Sequence, residues 1–465
     1  MKPEKTKRSI SLINATRSKT IALALGLLVN GFLVLQVSAQ TSSVSSTDWV
    51  RFLGNDGSSS LSEVNVPLEW SADKNLKWKK ELPGPGASSP IVIGDRVFLT
   101  CYTGYGDKPF EDLKTADKTA GDIKDLTRHL ICFDRETGDI VWQKAVDNST
   151  VKNEDPYKSY ITYHGYATNT PITDGDSVFA FFGKAGVIKF DMEGNEKWRK
   201  TFEGEPNETR WGSASSLIFY GDQLVVNAID ECGKILSMNK DTGDIKWEFE
   251  TGSRMAYSIP GLVKTKEGQT ELVVAVPEKV FGVDADTGEQ KWFCKTTLEH
   301  EVNAAVLVQD DIAYIYGGYQ KVGSLAVRVG GSGDVTDSHV LWESKDTSYV
   351  STPVMKDNHI YWADKSGIAY CVDATTGERK YRSRIPGFGT GRGVKMFGSM
   401  VLVGDQIITP SRNSGTFIWK TNPDEFTFVA NNKIAGDDSS FNGTPAISGS
   451  QIFMRSNKYL YCISE

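Results

Sequence analysis

Histidine and cysteine are scarce: five and six residues in a chain of 465. No Cys-x-x-Cys spacing occurs, which removes the common zinc frameworks and the Cys-x-x-Cys-His haem attachment. No Gly-x-Ser-x-Gly nucleophile motif is present. The glycine-rich stretch Gly387–Gly393 precedes no helical pattern, so it is not a phosphate loop. Basic charge is also lacking. Residues 1–39 carry six Lys/Arg against one Glu, or +5, so the −7 of the whole chain becomes −12 for the remainder. A nucleic-acid partner is excluded on that balance, because phosphate neutralisation needs a basic face. Long helical periodicity is absent, and no apolar run reaches the roughly 20 residues of a spanning helix.

What is present begins with a targeting segment. A basic stretch precedes the apolar run Ile21–Leu35, and Val37-Ser38-Ala39 fits the small-residue cleavage rule. Residues 1–39 are therefore expected to be a cleaved signal peptide. The alternative, an uncleaved anchor, has a short run interrupted by Asn30. The mature chain is expected in the periplasm or cell envelope and not as an integral membrane protein. No cysteine follows Ala39, so lipid attachment there is not indicated.

A phrase then recurs every 40–55 residues or so, the period of a radial β array. Asp134…Gly138 leads to Trp142, Asp191…Gly194 to Trp198, Asn239…Gly243 to Trp247, Asp284…Gly288 to Trp292, and Asp373…Gly377 to Tyr381. Apolar β-branched runs with Gly-Asp or Asp-Gly turns lie between the copies. Each unit reads as four strands, A to D. The A–B hairpin holds the Gly-Asp turn, the C–D hairpin holds the Asp/Thr-Gly turn, and strand D carries the tryptophan. Copies begin near Ser88, Thr168, Gly212, Ser258, Val302, Ser351, Gly398 and Gly443. The last copy lacks strand D, and Leu76–Leu82 has the D pattern. These signals predict an all-β, eight-bladed β-propeller over residues 76–465, with the N-terminal strand completing the last blade and 40–75 as a lead-in. The degenerate fifth and seventh copies leave seven blades open. The repeated Asp, Gly and Trp residues are read as framework: Asp fixes the turn, Gly supplies positive φ, and Trp fills the wedge between blades. Cys132, Cys371 and Cys462 occupy a strand position taken elsewhere by Lys189, Ser237 and Gly282, so they do not read as a disulfide set.

The Asp-x-x-Thr-Gly…Trp repeat resembles the pyrroloquinoline quinone (PQQ)-like β-propeller repeat family. The lead-in Trp49–Gly57 and the stretch His164–Pro171 are similar to its bacterial exported PQQ-binding-like subgroup. The resemblance implies either a quinone-dependent alcohol or sugar dehydrogenase or a non-catalytic scaffold, such as the propeller lipoprotein of outer-membrane barrel assembly. On the enzyme branch the cofactors would be PQQ with Ca2+. That branch typically carries an adjacent Cys-Cys pair, absent here, and no local motif assembles calcium ligands.

Function is therefore sought where the repeat is interrupted. Two insertions fall on the D–A/B–C face: Thr103–Arg128, and Val146–Ala167 with its tyrosines. Ligand-binding candidates there are His164, Tyr166, Arg210, Trp211, Arg254, His300 and Arg392, suited to an anionic or planar ligand. Glu299-His300-Glu301 is not read as a metal site, because neighbours on a strand point to opposite faces. The expectation is an exported, non-catalytic propeller that binds an envelope protein or a small ligand on this face.

Overall fold

In the computed structural model the described residues are 44–107, 120–149, 151, 154, 165–204, 210–319, 321–389 and 395–465. They form eight antiparallel sheets of four blade strands each. Blade 1 comprises Ile91–Ile93, Arg96–Thr103, Thr127–Asp134 and Ile140–Asp147 as strands A to D. The A strands of blades 2 to 7 are Ile172–Thr173, Ile218–Tyr220, Gly261–Lys264, Leu307–Gln309, Val354–Lys356 and Val401–Val403. Blade 8 takes Ala446–Ser448, Gln451–Arg455 and Tyr459–Ile463 from the C-terminus and Leu76–Glu81 from the N-terminus. Leu76 pairs with Ile463 and Glu81 with Tyr459. The expected ring closure is thus observed, and the count is eight. It covers an edge that would otherwise be open to another chain.

Burial explains why strands B and C read as continuous apolar runs. In blade 1 both are buried along almost their whole length, because each blade is covered on two faces by its neighbours. Strand D, on the rim, alternates and is mostly exposed. All six cysteines are unpaired. Among the described residues no helix is long and apolar enough to cross a membrane.

At the rim, blades are joined by a tryptophan seated on a glycine. Trp78, Trp142, Trp198, Trp247 and Trp342 each donate the indole N–H to a backbone carbonyl in the C–D turn of the next blade, at 2.8–3.2 Å. The ring lies over that turn's glycine. A Cβ at Gly138, Gly194, Gly243, Gly288 or Gly377 would sit 2.6–2.9 Å from the incoming ring. The turn itself is held by its Asp or Asn: Asp134 Oδ1 accepts from the Glu136 and Thr137 N–H groups at 2.9 and 2.8 Å. Trp292 departs from this scheme. Blade 5 replaces the short C–D turn with Gly333–Asp334 and the helix Thr336–His339, so the next blade presents no such turn glycine. Trp292 instead covers Gly282 of its own blade and donates to Glu271 at 2.7 Å.

At the axis, a second set of bonds joins the blades. Just before each A strand lies an axial triplet, such as Ala87-Ser88-Ser89, Thr168-Asn169-Thr170 and Asn442-Gly443-Thr444. The third residue donates its backbone N–H to the hydroxyl of the equivalent residue one blade on. Ser89 donates to Thr170, Thr170 to Ser216, Thr352 to Ser399, Ser399 to Thr444 and Thr444 to Ser89, all at 2.8–3.0 Å. Blade 4 places Ile259 and blade 5 Ala305 at this position. There Val306 N–H donates to the Ile259 carbonyl, and Ala305 N–H rejoins the belt at Thr352.

The lead-in crosses the axis at the A–B end. Trp49 bridges Val92 in blade 1, the Val50 carbonyl accepts from Thr173 in blade 2, and Ser60–Leu61 pairs in parallel with Leu402 and Val403 in blade 7. Between them Leu53 joins the apolar cluster that includes Ile259 and Ala305, and Phe52 packs against it. The missing hydroxyls of the belt are thus matched by an apolar insertion.

Gly243 and Gly252 both have φ near 75°, but only Gly243 meets a ring. Gly252→Ala is expected to cost only the left-handed backbone penalty, about 1–2 kcal/mol. Gly243→Ala adds an overpacking term for a total of about 2–5 kcal/mol. Urea unfolding of the two variants measures the difference, and equal losses would remove the docking account.

Candidate ligand site and docking face

The segments leading into the A strands face the axis at alternate residues, so the first and third residues of the triplets, Thr170 excepted, line a central cavity of about 160 Å3. The third residues form the hydroxyl belt. The first residues add Thr168, Tyr257, Asn303, Phe397 and Asn442 above it. Phe52 of the lead-in lines the cavity from the A–B side. Trp211, Gly212 and Tyr349 line it from D–A connections. No charged side chain occurs among the described residues that line it. The Asn303 Nδ2 is buried without a partner among the described residues.

A second feature lies on the D–A/B–C face between blades 5 and 6. Tyr349 donates its hydroxyl to the buried Glu301 at 3.1 Å. Lys365 stands 4.6 Å from the Tyr349 ring centroid and 5.6 Å from that of Tyr319. His300 meets Tyr319 edge-on at 6.4 Å. Tyr319 is 49% exposed and the nearby Val322 37%. Burial holds the Glu301 carboxyl above its ordinary value, against the bond from Tyr349 and the His300 and Lys365 charges. His300 and Tyr349 take φ of 71° and 78°, as Arg210 takes 52°. Such values are uncommon outside glycine, and here they fall on three D–A connections.

The sequence-selected residues are distributed unevenly. Trp211 lines the cavity. Arg254 turns its guanidinium to the Asp230 carbonyl at 2.8 Å, tying its D–A connection to the B–C helix Ile229–Cys232. His300 belongs to the face cluster. Tyr166 is buried in a satellite core with Tyr102, Tyr105 and Leu126, so the Thr103–Arg128 and Val146–Ala167 insertions do pack together. A buried ion pair, Arg128 with Glu154 at 2.6 Å, joins the same two segments. His164 and Arg392 lie outside the described residues. Sequence reasoning passed over the axial hydroxyls and Asn303. Their signal is a Ser/Thr two residues before the A strand in six of the eight blades, most often followed by proline, as at Ser89-Pro90 and Thr352-Pro353.

PQQ, a tricyclic ring system with three carboxylates, does not fit the axial residues. A cavity of about 150 Å3 takes one benzene ring, and this one is of that order. Its described lining offers neither a cation for the carboxylates nor a carboxylate for calcium. Among the described residues no group of three or more His, Cys, Asp or Glu converges on a metal position.

The family model described as outer membrane protein assembly factor BamB, PQQ_2, matches residues 127–383, more than half of the chain. The chain belongs to this family. Within the PQQ_2 family it is 22% identical over 363 residues to the outer membrane protein assembly factor BamB of Burkholderia pseudomallei (strain K96243), covering 75% of this chain and 80% of that protein. It is also 23% identical over 258 residues to the polyvinylalcohol dehydrogenase of Sphingopyxis sp. (strain 113P3). That match covers 47% of this chain and only 34% of the dehydrogenase, so the chain spans about a third of that relative's length. The crystal structure of BamB from Moraxella catarrhalis shares the fold, with a TM-score of 0.53 at 12% identity over 84% of this chain and 97% of that one.

Because the Glu301 carboxyl is raised, its protonated form is favoured by folding. Its contribution is greatest below the ordinary value of 4.5 and is lost as pH rises through the raised value. Glu301→Gln should therefore melt higher than wild type at pH 7.5, with the gap closing as pH falls toward 4.5. Melting curves across that range check this, and a variant less stable than wild type at pH 7.5 would contradict it.

Proposed function

We infer that this chain is a non-catalytic binding propeller of the cell envelope, whose D–A/B–C face docks a partner protein. The observation that carries the reading is the His300–Tyr319–Tyr349–Lys365 cluster, which presents half-exposed aromatic surface with a cation above it. Aromatic residues are the enriched constituents of protein interfaces and supply most of their anchors. Both insertions of blade 1 emerge on the same D–A/B–C face, elsewhere on the ring. The BamB likeness, which covers most of both chains, points to the outer-membrane assembly machinery as the class of partner. Export rests on the signal-peptide pattern of residues 1–39.

The rival reading is a PQQ-dependent alcohol or sugar dehydrogenase. It draws on the shorter likeness to polyvinylalcohol dehydrogenase. The small volume of the axial cavity, with no charge among its described lining residues, speaks against it.

A photo-crosslinking residue at position 319 or 322 should yield discrete adducts with an envelope protein in intact cells. The same residue at the rim position 141 should not. Substituting Lys365→Ala should reduce the adduct from 319 severalfold without changing the melting temperature. Indistinguishable patterns from the face and rim positions would overturn the reading.

A further inference from the structure

Strand D of blade 6, Arg379–Arg384, carries four cations, Arg379, Lys380, Arg382 and Arg384, and no acid. No other rim strand exceeds a net charge of +2. Among the described residues no further strand pairs with its outer edge. Arg382 stands opposite Tyr370 and Arg384 opposite Ile368, two residues apart and so on one face of the sheet. That face meets Tyr316 of blade 5 through Trp362, on which Tyr370 is stacked. Both arginines are exposed.

Their neighbours are engaged and they are not. Arg379 pairs with Asp346 of blade 5 at 3.1 Å, and Lys380 lies 3.6 Å from Glu378. Asp364 accepts from the Ser366 and Ile368 N–H groups and from the Tyr370 hydroxyl. Arg382 and Arg384 reach only neutral acceptors, the Tyr370 hydroxyl at 3.0 Å and the Ser366 carbonyl at 3.3 Å. Among the described residues neither joins an ion pair, and nor does Lys365, next to Ser366. Two guanidinium groups with free donors thus sit side by side on an acidic chain.

The molecule itself shows what covers such an edge. At blade 4, Gly333–Asp334 adds a fifth strand, parallel to Trp292 and Phe293 of strand D. Asp334 of that added strand takes Lys295 of the rim at 2.8 Å. Blade 6 has the basic rim and lacks the acidic strand. Charged edges ordinarily keep strands from pairing at random. A uniformly basic edge rejects its own copy and still admits a strand of opposite charge. Residues two apart on an extended segment are about 7 Å apart, so alternate acids of a guest strand match Arg382 and Arg384. A long polyanion would run past the patch onto acidic surface.

We propose that the open edge of blade 6 receives an acidic, extended segment of the partner protein as a fifth strand, with carboxylates on Arg382 and Arg384. The segment leads toward Lys365 and the Tyr319 cluster. This rests on the docking reading for the guest being a protein, and adds where and by what chemistry it is held.

The test is fluorescence anisotropy on the mature chain with the labelled octapeptide (Glu-Val)4, its counterpart (Lys-Val)4, and (Glu-Val)4 N-methylated at alternate residues to block strand pairing. Saturable binding of unmodified (Glu-Val)4 alone is expected, weaker at high salt. The double variant Arg382→Gln/Arg384→Gln should bind it roughly tenfold more weakly at an unchanged melting temperature. Arg382→Lys/Arg384→Lys should retain most of the binding. Equal binding of the lysine or N-methylated peptide would overturn the proposal, as would indifference to the glutamine double variant. Tighter binding of heparin or of phosphatidylglycerol vesicles would overturn it in favour of a polyanion or a lipid surface. In cells, the adduct from position 319 should fall severalfold in the glutamine double variant. An undiminished adduct would sink the strand inference and leave the docking reading standing. Peptide binding as expected, with no wild-type adduct from 319, would sink the docking reading and leave the strand site.

Discussion

Everything in this molecule depends on how one blade grips the next. A four-stranded sheet with two apolar faces cannot bury both alone, so each blade is stable only between neighbours. The grip is made twice. At the rim it is an indole lying on a glycine and bonded to that turn's backbone. At the axis it is a backbone N–H reaching a hydroxyl one blade away. The two tiers lie at opposite edges of the sheet, so together they fix both the spacing and the tilt of adjacent blades. The strand borrowed from the N-terminus lets the last blade join the same scheme, with Trp78 seated on Gly138 of blade 1.

The outer tier was legible in the sequence because its parts are local. Asp, Gly and Trp fall within one hairpin, and their spacing survives in most copies. The exception shows the limit. Trp292 carries the full phrase, yet its partner glycine would have to come from blade 5, where the turn has been replaced. No reading of the blade 4 segment alone could reveal that. The inner tier was less legible, since Ser and Thr before a strand are common and gain meaning only when eight copies converge on an axis.

The candidate site divides along the same line. Trp211 was legible because a large aromatic on a connection stands out. Asn303 and the belt hydroxyls were not, because each is unremarkable until its neighbours are placed around it. Charged residues that looked suitable for an anion are turned to other work, as Arg254 is toward the Asp230 carbonyl. Ion pairs at the rim include Lys77 with Glu136 and Lys80 with Asp139. Among the described residues, the lining of the axial cavity is left to neutral hydrogen-bonding groups, aliphatic side chains and aromatic rings.

The central claim is that the described lining of this axis is uncharged and its cavity too small for a tricarboxylate quinone. Titrating the mature chain with PQQ in the presence of calcium, followed by calorimetry and by the quinone's absorbance, tests it most directly. The account predicts no saturable binding and no reduction of an electron-accepting dye with alcohols or sugars. Stoichiometric, calcium-dependent quinone binding would contradict it.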